Sequence, residues 1–485
     1  MADQAADWST ESNDALSISL VVPDVGRPRS LYNFHPKMTY SIFGEEERIF
    51  GYQGLKINLQ YNASDMRPNL QVSFNKKFTT VGETEATDVK GILEPLLPKI
   101  ALEKPSIFDK AISEPMMKDW KPPGELWQTI QIGIETVEVW KGNLADVAVQ
   151  QLLKRIQILV PLFIEGGVTL DLEEPEWTLE RWTVFFYYQR VAEKEDNPYI
   201  FMGYSTVYRY FHFQAAAHES GSKKEAKADF TLPIDNISFS SLPCRSRISQ
   251  FIILPPFQRA GYGSRFYKSI FDFYLAEPET IEITVEDPNY AFDDMRDIND
   301  LRRLRTLPDF KAIKINTKIT PQPEEAIPNN IVDLPALEEI RKRMKIAPRQ
   351  FLRVVEMHLL ASIPSSVRKA DVLDDANPKM REYGLWRLWV KKRLYKHNKD
   401  LLSQMDKDER LDKLDEVLEG VVADYVRLLE AYKARVKFDS FEDLAKGKGK
   451  GKGKEIEGEN GKRRSPSDED SDSSDGEPLP KRTKV

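Results

Sequence analysis

The stretch Ser249-Gln250-Phe251-Ile252-Ile253-Leu254-Pro255-Pro256-Phe257-Gln258-Arg259-Ala260-Gly261-Tyr262-Gly263-Ser264 decides the fold. It reads as an apolar strand, a short loop with glycines and the start of an amphipathic helix, whose apolar positions continue at Phe266, Ile270, Phe271 and Tyr274. Glycines let a backbone approach a pyrophosphate closely, and the free N–H groups and dipole of a helix N-terminus hold its charge. An ordinary strand-to-helix turn has a similar pattern, but the flanking strand and helix favour a ligand loop.

Composition places the chain among globular proteins. Its 485 residues are enough for two or three domains, and 41% of them are hydrophobic. No apolar run approaches the roughly 20 residues of a membrane helix, and the polar N-terminus lacks a signal peptide pattern. The single cysteine, Cys244, excludes a disulfide framework, and the five histidines show no ligand spacing. We therefore expect an intracellular protein without a metal or a membrane span.

The net charge of −7 is unevenly distributed. From Phe441 onward there are 11 acidic and 11 basic residues, so the rest of the chain carries the whole excess. An acidic body argues against direct nucleic-acid binding and favours a basic partner, although mild acidity also simply keeps proteins soluble.

Changes in composition predict five segments: a disordered start (1–13), a mainly β domain (14–135), a core (136–318), a helical domain (332–440) and a low-complexity tail (441–485). Strands are expected in the segments Ala15–Val22, Tyr40–Phe43, Leu55–Tyr61, Leu70–Phe74, Trp182–Arg190, Phe201–Gln214 and Thr280–Val285. Asn143 is expected to cap a helix that runs to about Ile164, and Asp287 to cap the next helix after the 280–285 strand.

The tail alternates lysine and glycine from Lys446 and then becomes rich in serine and acidic residues, so it cannot bury a core. Its basic clusters, Lys462-Arg463-Arg464 and Lys481-Arg482-Thr483-Lys484, resemble nuclear-import signals. A tail that only increases solubility is the alternative.

Several motifs together resemble a known family. Gln258–Gly263 fits the Q/R-x-x-G-x-G/A pattern of GCN5-related N-acetyltransferases. The segments 49–57 (IFGYQGLKI), 286–289 (EDPN) and 291–297 (AFDDMRD) extend the similarity to the catalytic subunits of type B histone acetyltransferases, in a fungal form. The similarity covers about residues 15 to 435. One departure is Ile298, where the family pattern suggests an arginine on the cofactor side.

The resemblance implies an α/β (α+β) fold with an acetyltransferase core, an N-terminal mainly β domain and a C-terminal helical domain. It implies transfer of acetyl from acetyl-CoA to lysines in the tail of newly made histone H-four, and a WD-repeat β-propeller histone chaperone as partner. The expected localisation is cytoplasm and nucleus. Two alternatives stay open: an acetyltransferase for other proteins or small amines, and an inactive histone-binding scaffold.

The resemblance also implies roles for individual residues. The general base is Glu286, and Glu165 and Asp287 are further acidic residues around the incoming lysine. Cofactor binding is assigned to Phe251, Ile252, Ile253, Gln258, Arg259, Ala260, Gly261, Tyr262, Gly263, Ser264 and Asn289. Contact with the histone peptide is assigned to Glu45, Glu46, Glu47, Tyr208, Arg209 and Tyr210.

The chemistry explains why carboxylates are needed. A lysine ammonium has a pKa of about 10.4, so removing its proton at pH 7 costs about 4–5 kcal/mol. A carboxylate within hydrogen-bond reach can take that proton as the amine attacks. Structural roles remain possible: helix capping for Asp287, solvation of a helix end for Glu165, and a solvated turn for Glu45–Glu47. No Cys-His or Ser-His pattern is visible in the sequence, which favours direct transfer in a ternary complex.

Overall fold

The computed structural model describes residues 8–191, 198–211, 242–322, 326–370, 374 and 376–448. Within these ranges the strands are β1 (Ser9–Glu11), β2 (Leu16–Val22), β3 (Arg29–Phe34), β4 (Arg48–Phe50), β5 (Tyr52–Gln53), β6 (Lys56–Asn62), β7 (Pro68–Ser73), β8 (Lys76–Lys77), β9 (Glu125–Ile132), β10 (Glu135–Asn143), β11 (Trp182–Arg190), β12 (Tyr199–Phe211), β13 (Cys244–Ile253) and β14 (Thr280–Val285).

The α-helices in the same ranges are α1 (Ser12–Ala15), α2 (Tyr40–Phe43), α3 (Val89–Leu93), α4 (Pro105–Ile112), α5 (Val147–Ile156), α6 (Leu159–Phe163), α7 (Glu176–Leu179), α8 (Tyr262–Ala276), α9 (Tyr290–Leu304), α10 (Pro308–Ala312), α11 (Leu334–Arg343), α12 (Pro348–Leu360), α13 (Ser365–Arg368), α14 (Pro378–His397), α15 (Lys399–Leu402) and α16 (Lys407–Lys448). Short 3₁₀ turns include Pro255–Phe257. The mixed α/β architecture expected from the sequence is confirmed. No described helix is long and apolar enough to span a membrane.

A six-stranded sheet forms the centre of the first compact unit, in the order β14-β13-β12-β11-β10-β9. Neighbouring strands in this sheet are antiparallel, except for β13 and β14, which are parallel and joined by α8. Aromatic and β-branched residues favour such strands, and β11 buries Phe185, Phe186, Tyr187 and Tyr188. Helix α8 packs on this surface, where the Phe266 ring stacks on Tyr187 with centroids 4.7 Å apart.

A second sheet, in the order β3-β2-β6-β7, forms the N-terminal part of the same unit. Arg155 of α5 joins it to the central region, because its Nη1 lies 2.8 Å from Asp65 Oδ2. The backbone N–H of Phe201 on β12 also donates to the carbonyl of Ala63, over 2.8 Å. The two sheets therefore form one continuous framework.

The segment Glu339–Arg349, expected in the helical domain, belongs to this first unit together with the described residues up to Asn299. It lies along the edge of β14, where the N–H of Ile283 donates to the carbonyl of Lys345 over 2.7 Å. Lys345 Nζ in turn donates to the carbonyls of Tyr274 (3.3 Å) and Glu277 (2.5 Å) at the end of α8.

The second unit comprises Asp300–Glu338 and the described residues from Gln350 onward. Its helices surround a buried carboxylate, Glu356, which receives two hydrogen bonds from Arg393 (2.6 and 2.8 Å) and one from the Tyr425 hydroxyl (2.7 Å). The helical periodicity predicted for 334–345, 349–361, 385–395 and 411–432 is confirmed by α11, α12, α14 and α16.

Some local expectations were wrong. Residues 9–13, expected to be disordered, lie in β1 and α1. The 40–43 segment is a helical turn rather than a strand. Asp146 rather than Asn143 caps α5, since its carboxylate accepts from the Ala148 N–H. The helix α5 ends at Ile156, and the separate helix α6 begins at Leu159. Pro161 lies in the first turn of α6, where its missing N–H costs no helical bond.

Candidate functional site

The glycine loop places a bare helix N-terminus beside the end of β13. Arg259 and Gly261 have positive φ values of 63° and 81°, which turn the chain sharply before α8 begins. Gly261, the N-cap residue, has no side chain with which to cap this helix, and a backbone bond runs from the Arg265 N–H to the Gly261 carbonyl. The N–H groups at positions 262–264 precede that bond and point out of the helix end. The loop can therefore bind an anion with its backbone.

Three predicted cofactor residues have side chains that hold the loop itself. Gln258 Nε2 donates to the Ile253 carbonyl over 2.7 Å, and Ser264 Oγ donates to Asn299 Oδ1 over 2.9 Å. The Tyr262 hydroxyl donates to Glu135, and burial together with this bond raises the pKa of Tyr262 to about 12. Arg259 and Ala260 are exposed. The loop thus offers N–H groups and the Arg259 guanidinium, while its other polar side chains fix its shape.

Next to this loop, the outer edge of β13 has no strand partner among the described residues. Pairing with β14 ends at Ile248, which lies opposite Val285. The Leu254 N–H donates to β12, at the Met202 carbonyl. Because N–H groups alternate along a strand, those of Phe251 and Ile253 point away from β12, into the gap beyond β14. The N–H of Ile252, another β13 residue predicted to bind the cofactor, points towards β12 instead.

A β-bulge lies where this gap opens. Ser205 of β12 pairs with Phe251, but Val207 pairs with Ile248, so β13 has one extra residue across Ser249 and Gln250. Bulges of this kind bend a strand and redirect its side chains. The bulge coincides with the contacts that hold the candidate acidic residues.

Glu286 directly follows β14 and is tied to β13 twice. Its N–H donates to the Ile248 carbonyl over 2.8 Å, and its Oε2 accepts from Ser249 Oγ over 2.6 Å. The side chain is exposed, so it faces solvent. Asp287, also exposed, has a positive φ of 32°, which turns the chain immediately after Glu286.

Asn289, rather than Asp287, caps the following helix. Its Oδ1 accepts from the Phe292 N–H over 2.9 Å. The Phe292 ring packs against Phe251 of β13, with centroids 5.1 Å apart. The expectation that Asp287 serves as the cap was therefore wrong, and Asn289 fixes the start of α9 against the open edge of β13.

Glu165 lies in an exposed turn after α6. The segment that follows is attached to β13, because Gln250 Nε2 donates to the Val168 carbonyl over 2.8 Å. Three consecutive β13 residues, 248 to 250, thus anchor the segments that carry Glu286 and Glu165. This arrangement attaches both candidate segments to the same short stretch of β13, next to the end of β14.

The Glu45–Glu47 triplet divides into two parts. Glu45 and Glu46 are exposed. The Glu47 carboxylate instead accepts from the N–H groups of Thr39 (2.5 Å) and Tyr40 (3.1 Å) and from Asn13 Nδ2 (2.9 Å). These bonds, that from Thr39 first, hold the pKa of Glu47 below its ordinary value of 4.5. Glu47 stabilises the start of α2 and is not available as a free carboxylate.

The Tyr208–Tyr210 segment lies at the opposite end of the β12–β13 pair, in register with Ser246 and its neighbours. Arg209 forms an ion pair with Glu277, and the Tyr208 ring lies 4.6 Å from the Arg181 guanidinium carbon. Tyr210 is 49% exposed and has the Arg247 guanidinium 5.6 Å from its ring centre. Tyr210 is therefore the member of this set with the most free surface.

Ser249 and Gln250 were not identified as functional from the sequence, although both lie in the decisive stretch. Their contacts depend on the bulge and on the end of β14, which no local pattern indicates. Cys244 is fully buried, and burial raises the pKa of its thiol. Among the described residues, no group of three or more His, Cys, Asp and Glu side chains is arranged to hold a metal ion. The basic clusters and the Lys-Gly repeat from position 449 lie outside the described residues.

Comparison with known proteins gives consistent matches. The family "Histone acetyl transferase HAT1 N-terminus" matches residues 8–165, and "Fungal HAT1, C-terminal" matches residues 297–363. Three relatives carry the name "Histone acetyltransferase type B catalytic subunit". The protein from Gibberella zeae is 45% identical, covering 90% of this chain and 94% of its own. That from Neurospora crassa is 46% identical (87% and 88%), and that from Candida albicans is 32% identical (91% and 94%).

Proposed function

Because the chain belongs to the family of histone acetyltransferase type B catalytic subunits, we propose that it acetylates lysines in the tail of newly made histone H-four. Membership of the family makes the protein a histone acetyltransferase and implies the use of acetyl-CoA. The choice of histone, the base and the order of events are the parts proposed here. The observation that supports the choice of base is the attachment of the Glu286 and Glu165 segments to neighbouring residues of β13.

The residues at this edge fit acetyl-CoA, which supplies the acetyl group as a thioester. The N–H groups of Phe251 and Ile253, which point into the gap beyond β14, suit the amide-rich pantetheine arm, which needs backbone partners to replace water. The N-terminus of α8 suits the pyrophosphate, and the exposed Arg259 adds positive charge to the same loop. A strand edge and a helix end thus provide donors along one continuous path.

Glu286 is the proposed general base. It lies directly after β14, at the mouth of the gap, and its exposed carboxylate is open to an incoming ammonium group. Free deprotonation of the lysine would cost roughly 4–5 kcal/mol at pH 7, whereas a carboxylate within hydrogen-bond reach can accept the proton as the amine attacks the thioester. Glu165 and Asp287 are the alternatives, and both are also exposed.

We propose direct transfer in a ternary complex. The one cysteine of the chain, Cys244, is buried and its thiol pKa is raised by burial, so it is a poor nucleophile. A covalent acetyl-enzyme would require a different nucleophile. Direct attack by the deprotonated lysine needs only the base and the bound thioester.

The basic histone tail is proposed to meet acidic and aromatic surface. Glu45 and Glu46 are exposed carboxylates that can attract lysines and arginines, whereas Glu47 is committed to α2. Tyr210 offers an exposed ring. Attraction of this kind depends on salt concentration, because exposed charges are screened over about 8–10 Å at physiological ionic strength.

One assay tests the proposed reaction. The purified chain is incubated with acetyl-CoA and, in parallel, with an H-four tail peptide, an unrelated lysine peptide or a small polyamine, and products are mapped by mass spectrometry. Acetylation confined to the histone peptide supports the proposal. Faster modification of the polyamine would indicate a small-amine enzyme, and histone binding without turnover would indicate a scaffold.

We also propose a WD-repeat histone chaperone as partner and residence in both nucleus and cytoplasm. The partner follows from the family resemblance, and the localisation from the two basic clusters after residue 461. Co-purification of the chaperone with this chain from native extract tests the proposed partner. Alanine replacement of Lys462, Arg463 and Arg464 in a fluorescent fusion tests the proposed localisation, and unchanged nuclear signal would argue against that cluster.

A further inference from the structure

We propose that Ser249 is a positioning residue, which holds the Glu286 carboxylate in the orientation needed for proton transfer. The inference rests on the proposed role of Glu286 as base. It is carried by one contact, the 2.6 Å hydrogen bond from Ser249 Oγ to Glu286 Oε2, and by the backbone geometry that creates it.

The backbone places Ser249 at the level of β13 where β14 ends and Glu286 begins. The β-bulge across Ser249 and Gln250 supplies an extra residue at the level where β14 ends. Redirecting a side chain is a common consequence of a bulge. Without the extra residue, the side chain at this level would follow the regular alternation of the strand.

The other side of the contact is equally constrained. The Glu286 N–H is fixed to the Ile248 carbonyl over 2.8 Å, so the backbone of the base is held by the residue before Ser249. Asp287 then turns the chain with a φ of 32°, a conformation that non-glycine residues rarely adopt. The chain leaves β13 at once, and Ser249 is the hydroxyl that the structure gives as a partner of the Glu286 side chain.

The contact has a clear chemical use. An exposed glutamate side chain ordinarily samples several rotamers, and each unproductive rotamer lowers the fraction of enzyme ready to accept a proton. A hydroxyl that donates to one carboxylate oxygen leaves the other oxygen free to accept. Ser249 thus selects an orientation without taking part in the proton transfer itself.

The test compares four variants in the full-length chain: Ser249→Ala, Ser249→Thr, Glu286→Gln and the double variant Ser249→Ala with Glu286→Gln. We expect Ser249→Ala to lower kcat about 10-fold while the KM values for both substrates stay within twofold, as for a misplaced catalytic group. Threonine keeps a hydroxyl and favours strands, so Ser249→Thr should restore most of the rate. The double variant should be no slower than Glu286→Gln alone, because the serine acts only through the glutamate.

Ser246→Ala is the matched control. Ser246 lies on the same strand, but its hydroxyl pairs with Thr280 Oγ1 at 2.7 Å. We expect its kcat to stay within twofold of the parent. An equal loss of kcat in Ser246→Ala would show a general effect of altering β13 and would overturn the proposal.

Other outcomes distinguish the role of Ser249 from that of Glu286. A parental kcat in Ser249→Ala, together with a strongly impaired Glu286→Gln, refutes the role of Ser249 and leaves the base in place. Independent, multiplying losses in the double variant refute it as well. A near-parental rate in Glu286→Gln refutes the base assignment, and the role of Ser249 falls with it.

Discussion

Glu47 provides the sharpest test of how this N-terminal region is held together. In the sequence it is the third member of an acidic triplet, but its carboxylate receives two backbone N–H groups at the start of α2 and the amide of Asn13. Replacement by alanine removes these three bonds and a longer one from Thr39 Oγ1, at 3.4 Å. The residue has a φ of 50°, and alanine carries the same Cβ, so the backbone strain is the same before and after.

The expected cost follows from these contacts. A hydrogen bond to a charged group contributes about 1.5–3 kcal/mol, and Thr39, whose N–H gives the shortest of the three bonds, is fully buried. Water can replace some of the lost hydrogen bonds, because Glu47 itself is only partly buried. We therefore expect Glu47→Ala to destabilise the first unit by about 2–4 kcal/mol. Glu46→Ala, at an exposed neighbour, should stay within about 0.5 kcal/mol of the parent.

The stability lost in Glu47→Ala should decrease as the pH falls. The pKa of Glu47 is lowered on folding, from its ordinary 4.5, chiefly by the bond from the Thr39 N–H. A lowered pKa means that the stabilisation is fully present above the unfolded pKa and disappears as pH falls through the folded pKa. The difference in unfolding free energy between the parent and Glu47→Ala should therefore be full at pH 7 and shrink as the pH falls below the ordinary pKa of 4.5.

Urea unfolding followed by circular dichroism, at pH 7 and at steps down to the acid limit of folding, measures this difference. Glu46→Ala serves as the control for the loss of one negative charge. Equal midpoints for the two variants at pH 7 would refute the structural role of Glu47. If the difference in unfolding free energy between the parent and Glu47→Ala does not decrease on acidification, the Glu47 carboxylate is not the source of the stabilisation.

Three further predictions concern the site. Glu286→Gln should lower kcat at pH 7 by about 100-fold or more while calorimetric affinity for acetyl-CoA stays within twofold, with partial recovery at high pH, where the substrate amine loses its proton unaided; a near-parental rate at pH 7 would direct attention to Glu165. Gly261→Glu should abolish binding of acetyl-CoA in calorimetry, because it forces a side chain into a φ of 81° and adds negative charge at the helix end, while a cooperative melt shows that the chain still folds; undiminished affinity in the folded variant would mean that the pyrophosphate binds elsewhere. Changing Glu45 and Glu46 together to glutamine should raise the KM for the histone peptide a few-fold and flatten its salt dependence, compared with the same change at the exposed pair Glu83 and Glu85; identical behaviour of the two pairs would argue against a docking role.

Several elements were predictable because their signals are local. The aromatic, β-branched run of β11 and the apolar run of β14 have the bounds expected from their sequences. The long amphipathic patterns of the C-terminal part likewise mark real helices. In each case the residues that determine the element lie within it, so periodicity is sufficient.

The errors arose where distant residues decide local structure. The 40–43 segment has the composition of a strand, but the carboxylate of Glu47 caps it as a helical turn. Asp287-Pro288 has the pattern of a helix start, yet the turn at Asp287 moves the cap to Asn289. The contact between Ser249 and Glu286 joins residues 37 positions apart and depends on strand pairing. Sequence patterns report none of these tertiary constraints.

The attachment of Glu339–Arg349 to β14 has a consequence for biogenesis. The ribosome releases the six strands of the central sheet well before it releases Lys345 and Ile346, which pair with Ile283. Until then the outer edge of β14 lacks this partner, and a bare strand edge invites pairing with other chains. A fragment that ends between the predicted core (136–318) and the predicted helical domain (332–440) would lack residues 345 and 346, so the outer edge of β14 would stay without this partner. We therefore expect expression boundaries for a soluble catalytic fragment to fall after residue 349, not between residues 318 and 332.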